Sequence, residues 1–94
     1  MNIRRLILDV GKGLNRPTLV ELSEAISSVK GVEGVNISVT EIDMETMGTN
    51  VTIEGNNMNF DEIIRKIDAT GAVVHSVDEI AAGSRLVENI RRYQ

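Results

Sequence analysis

An α+β fold built from two βαβ halves is predicted by three features of this 94-residue chain. The N-terminal residues alternate with the period of a half-buried strand. Two apolar runs at helical spacing each begin at a capping residue and end at a glycine. Strand-patterned runs at residues 35–43, 50–55 and 72–79 fall between and after them, so the order reads β-α-β-β-α-β.

Each element has its own local cause. In residues 1–10, Leu6, Leu8 and Val10 share one face while Arg5, Ile7 and Asp9 share the other. Residues 11–17 contain two glycines and the only proline, which predicts a turn-rich connection. Thr18 and Glu21 stand at capping-box spacing. Leu19, Leu22, Ile26 and Val29 then mark an amphipathic helix that stops near Gly31. The second half repeats this pattern with Asn59 and Glu62 as the cap, Phe60, Ile63, Ile64 and Ile67 as the stripe, and Gly71 as the stop.

Short connections and the absence of a linker leave one domain at residues 1–83, followed by a C-terminal arm or short helix at 84–94. The order corresponds to the ferredoxin-like arrangement: an antiparallel four-stranded sheet with both helices on one face. The other face is expected to be open, showing Asp9, Asn36, Ser38, Thr40, Thr52 and Glu54, with Ile7 as the apolar exception. In the arm, Leu86, Val87, Ile90 and Tyr93 fall on one side of a short helix. That helix either lids this chain's own sheet or reaches a neighbour.

Composition narrows the function classes. A single small domain buries a modest share of its surface, so self-association helps stabilise it. No cysteine is present, which removes disulfides, thiolate metal sites and a Cys nucleophile and fits a cytoplasmic setting. The apolar run at 6–10 is too short for a signal peptide or membrane span. One Phe, one Tyr, no Trp and a formal charge of −4 argue against nucleic acid as a partner.

Several short motifs in order identify the chain as a member of a known group. Gly31-Val-Glu-Gly-Val-Asn-Ile-Ser-Val39, Glu41-Ile-Asp43 with Glu45-Thr46, Val51-Thr-Ile-Glu-Gly55, Phe60-Asp-Glu62 and His75-Ser-Val-Asp-Glu79 before Gly83 resemble the uncharacterised archaeal family known as domain of unknown function 211. The resemblance implies a ferredoxin-like fold and a cytoplasmic prokaryotic setting, and it brings no activity. A weaker likeness extends to metallochaperone and amino-acid-sensing domains of the same fold. Where metallochaperones place Cys-x-x-Cys, this chain reads Gly11-Lys-Gly-Leu-Asn-Arg16, which excludes soft-metal transfer.

Three candidate sites follow. Glu41, Asp43 and Glu45 alternate in a stretch with no basic residue between Lys30 and Arg65. Either a bulge near Thr40 turns Ile42 and Met44 inward, or the strand outruns the core. With the second and fourth strands expected at the sheet edges and running in the same direction, Asp43 and Glu45 would converge with Asp78 and Glu79 across a subunit junction. Such a set suits Ca²⁺ or Mg²⁺ and would lock a ring; the alternative is a solvated hairpin end. Lys12 and Arg16, in a turn before a helix N-terminus, are placed to hold a small anion or metabolite, or else are solvated. His75 reads as a packed residue or a ligand, with no partner for acyl transfer.

The expectation is therefore a non-enzymatic, self-associating homo-oligomer that binds a divalent cation or small ligand at subunit junctions, with no organic cofactor. The alternatives are an anion-sensing regulatory domain using Lys12 and Arg16, or an acidic-surfaced subunit of a larger complex.

Overall fold

A computed structural model describes residues 1–90. The elements run β1 (Ile3–Gly13), α1 (Leu19–Ser27), β2 (Val32–Ile42), β3 (Thr46–Gly55), α2 (Phe60–Ala69) and β4 (Val73–Ala82). They form one four-stranded sheet in the order β2-β3-β1-β4, with every neighbouring pair antiparallel. This is the ferredoxin-like α+β fold expected from the sequence. No helix among the described residues is long and apolar enough to cross a membrane.

The apolar stripes account for the layering. Leu6, Leu8 and Val10 of β1 and Val51 and Ile53 of β3 are fully buried against Leu22 and Ile26 of α1 and Ile63 and Ile67 of α2. Both helix starts are capped as the spacing predicts. Glu21 N–H donates to Thr18 Oγ1 (3.0 Å) while Thr18 N–H donates to the Glu21 carboxylate (2.9 Å), and Glu62 N–H donates to Asn59 Oδ1 (3.0 Å). Directly after the α2 C-cap Thr70, Gly71 adopts positive φ, the conformation that stops a helix most cheaply when no Cβ is present; α1 instead ends at Ser27, and the positive φ of Gly31 belongs to the turn that enters β2.

Four expectations change. β1 does not turn at Gly11: Gly11, Lys12 and Gly13 continue the ladder opposite Gly48, Met47 and Thr46. Glycines read locally as a turn are held extended by tertiary pairing. The hairpin between β2 and β3 is correspondingly short, closed by Asp43 N–H donating to Thr46 O (2.8 Å).

The edge strands β2 and β4 run in opposite directions, not the same one, because an odd number of antiparallel steps separates them. Asp43 and Glu45 lie beyond the β2 end of the sheet, level with the start of β4, whereas Glu79 stands opposite Ile7, well along β4. The expected convergence of Asp43 and Glu45 with Asp78 and Glu79 at one end of the sheet is thus removed.

The β2 phase combines both sequence alternatives. Thr40 is an extra residue between the Val39–Thr49 and Glu41–Gly48 pairs, so a bulge does turn Ile42 to the helix side. The strand also outruns the helices, and Ile42 remains 69% exposed.

The C-terminal segment is not helical over residues 84–90. It runs back over the chain's own sheet: Arg4 donates to the carbonyls of Gly83 (2.8 Å) and Ser84 (2.7 Å), and Glu88 meets Arg5. Tyr93, the last member of the expected apolar stripe, lies outside the described residues.

Candidate functional site

The open sheet face divides into two regions of different chemistry. At one end, Arg5 of β1 gathers three carboxylates. Its Nε donates to Glu54 (2.8 Å), its two terminal nitrogens donate to Glu88 (2.7 and 3.0 Å), and Glu79 lies 3.6 Å away. The arrangement arises because Arg5 and Glu54 are cross-strand partners, Glu79 stands beside Ile7 on β4, and the returning C-terminal segment supplies Glu88. The hydrogen bonds from Glu88, then those from Glu54, hold the Arg5 guanidinium more firmly protonated than usual. The same contact with Arg5 holds the Glu88 carboxyl below the ordinary carboxylate value.

At the other end a shallow depression of about 420 Å³ lies over glycines. Gly11 and Gly48 are direct cross-strand partners, so the sheet presents bare backbone there. Neighbouring side chains lean over it. A Cβ on Gly11 would overlap the His75 ring, and a Cβ on Gly48 would stand 3.0 Å from Glu41 Cγ. Asp9 and Val73 complete the walls.

Bulges aim these side chains. His75 is the extra residue between the Asp9–Ser76 and Val10–Val74 pairs, and Asp78 is the extra residue between the Ile7–Glu79 and Leu8–Val77 pairs. Strict alternation separates His75 from Ser76; the bulge instead lays the imidazole over the face that Ser76 shares with Asp9. The Ser76 hydroxyl donates to Asp78 (2.7 Å).

The residues singled out in the sequence are dispersed. Asp43 accepts the Met44 N–H (2.8 Å) within the hairpin, Glu45 is exposed beside it, Asp78 is held by Ser76, and Glu79 approaches Arg5. Among the described residues, no three His, Asp or Glu groups converge as a metal-ligand set.

Lys12 and Arg16 are also separated. Lys12 belongs to β1, not to the turn; it is buried on the helix side and donates to Gly13 O (2.7 Å). Arg16 is exposed and pairs with Glu21. Glu21 is itself the anion at the α1 N-terminus, held below the usual carboxylate range by the Arg16 hydrogen bond and then by the Thr18 N–H. An external anion would have to displace it.

The Arg5 cluster and the glycine-floored depression were missed in the sequence. Arg5 and Glu54 share an open-face parity that the strand patterns do contain. Glu88 and His75 reach their places through a returning segment and a bulge, neither of which has a periodic signature.

Comparison with known proteins finds a family model and a relative that this chain matches over nearly its whole length. Residues 4–94 match the model of the family described as uncharacterised ArCR, domain of unknown function 211. An uncharacterised protein of Methanocaldococcus jannaschii is 44% identical over 92 residues, covering 98% of this chain and 94% of that protein.

Proposed function

We propose that this chain, which belongs to the domain of unknown function 211 family, is a non-enzymatic module of the cytoplasm that joins copies of itself edge to edge through β2 and β4. One observation carries this reading. Three apolar rows cross the helix side of the sheet: Val35-Ile53-Leu6-Ile80, Ile37-Val51-Leu8-Val77, and Val39-Thr49-Val10-Val74, in which Thr49 is the only polar member. At the edges they end in residues that the helices do not fully cover, among them Val39, Val77 and Ile80.

Because β2 and β4 are antiparallel, a copy placed level beside β4 presents its β2 in the direction that extends an antiparallel sheet. Val35, Ile37 and Val39 then meet Ile80, Val77 and Val74, and each row continues into the next subunit. Neither edge strand contains proline or lysine, two common devices against such pairing. Pairing of unlike edges is heterologous and closes into a ring when the rotation permits.

The ligand part of the proposal moves with the corrected topology. Val73, Gly11, Gly48 and Glu41 lie on one line across the sheet, so level copies bring Glu41 of one beside the His75 end of β4 of the next. A divalent cation such as Ca²⁺ or Mg²⁺, or another small cationic ligand, would draw on Asp9, Glu41 and His75 from two copies, with Asp43 and Glu45 adding negative potential. Native mass spectrometry with and without chelator tests both parts. Bound ions that disappear with the assembly on chelation support the junction site. An assembly that persists with no ion leaves self-association without it.

A further inference from the structure

Ala81 is buried to 8% exposure on the wrong side of the sheet. It is the cross-strand partner of Arg5, so it faces away from both helices and stands outside the apolar core they cover. Its cover is the returning C-terminal segment together with the Arg5 cluster.

That segment is fastened at two points. Near its start, Gly83 N–H donates to Asn2 O (2.7 Å) and Arg4 holds the Gly83 and Ser84 carbonyls. Four residues later Glu88 grips Arg5 through two parallel hydrogen bonds, the geometry that makes a guanidinium–carboxylate pair specific. Between these points Val87, Glu88 and Asn89 face residues 79–82 of β4 across a shallow depression. No described backbone hydrogen bond joins residues 84–90 to β4, so the segment overlies the strand without extending the sheet. It is held there by side chains.

We propose that residues 83–90 form an autoinhibitory strap: they shield the last third of β4, and opening of the Arg5–Glu88 pair frees that edge for a second copy. This rests on the self-association reading above: the strap covers Ala81 on the open face, directly beside Ile80, whose exposed side chain on the other face ends one apolar row. Arg5 is suited to the task because it has other partners. With Glu88 gone, Glu54 and Glu79 still neutralise it, so release leaves no bare cation on the sheet.

The test combines hydrogen exchange with sedimentation velocity on the full chain, comparing wild type, Glu88→Gln and the control Glu24→Gln, an exposed position on α1 away from both edges. The Gln replacement keeps size and polarity and removes the charge. Glu88→Gln is expected to speed exchange across 84–90 and to move self-association to a concentration lower by about threefold or more, less than the roughly tenfold change per 1.4 kcal/mol available to a strong charged pair. Glu24→Gln should do neither. Unchanged exchange at 84–90 overturns the strap. Faster exchange with association at the wild-type concentration overturns its inhibitory role alone. A monomer in all three proteins removes self-association itself, and the inhibitory role with it.

Discussion

The His75 imidazole occupies the space above Gly11 that a side chain at that position would fill. A bulge on β4 and a glycine on β1 are therefore one feature, each accommodating the other. The relationship explains why Gly11 is tolerated within a strand despite its cost in entropy and packing.

Gly11→Ala should force the ring from its seat while leaving the ladder intact. A coupling on the order of 0.5–1 kcal/mol is expected between Gly11→Ala and His75→Ala in a double-mutant cycle, as for residues in direct contact. Urea denaturation measures it. Additive single effects would show that the ring moves aside freely.

The helix caps give a second prediction. Thr18→Ala and Asn59→Ala each remove an acceptor from an otherwise unpaired helix N–H and should each cost about 1 kcal/mol. A chemical-denaturation midpoint lowered in both variants, with unchanged slope, is the expected result.

Core truncation should cost more. Leu22→Ala or Ile63→Ala removes a fully buried side chain where the helices meet the sheet, and a loss of roughly 2–5 kcal/mol is expected from lost transfer energy plus cavity. Ile90→Ala, at an exposed position, is the matched control and should change little.

The pH dependence has a definite sign. The Glu21 and Glu88 carboxyls are held below their usual value of 4.5 by Arg16 and Arg5. Each then favours the folded state at pH values above that of the unfolded carboxyl, and the benefit is lost as pH falls through the lowered folded value. Stability curves of wild type and Glu88→Gln should therefore separate above about pH 5 and converge in acid. The separation should shrink with added salt, since the pair is exposed.

Much of the fold was legible because it rests on periodicity. Leu6, Leu8 and Val10 alternate, Ile63 and Ile67 stand one turn apart, and both caps use oxygen-bearing residues at fixed spacing. What was not legible depends on pairing between distant segments. Gly11 and Gly13 signal a turn until Gly48 and Thr46 are set opposite them. Lys12 looked like a solvated turn base, and its burial follows from the same continuation of β1. The site residues fared worse than the fold. The direction of an edge strand follows from counting antiparallel steps, and it decides whether Asp43 and Asp78 can share an ion. Register shifts such as those at Thr40, His75 and Asp78 each reset which face a side chain occupies.

Heterologous pairing of β4 with β2 is tested most directly by blocking one edge at a time. Val39→Lys places a charge on the helix side of β2 and leaves β4 free; Val77→Lys does the converse. Sedimentation velocity on each variant and on their equimolar mixture is the measurement. Edge-to-edge assembly predicts an oligomer for wild type, a monomer for each variant alone, and a 1:1 dimer for the mixture, because the mixture restores one intact junction. A monomeric wild type, or variants that each assemble as wild type does, would contradict it.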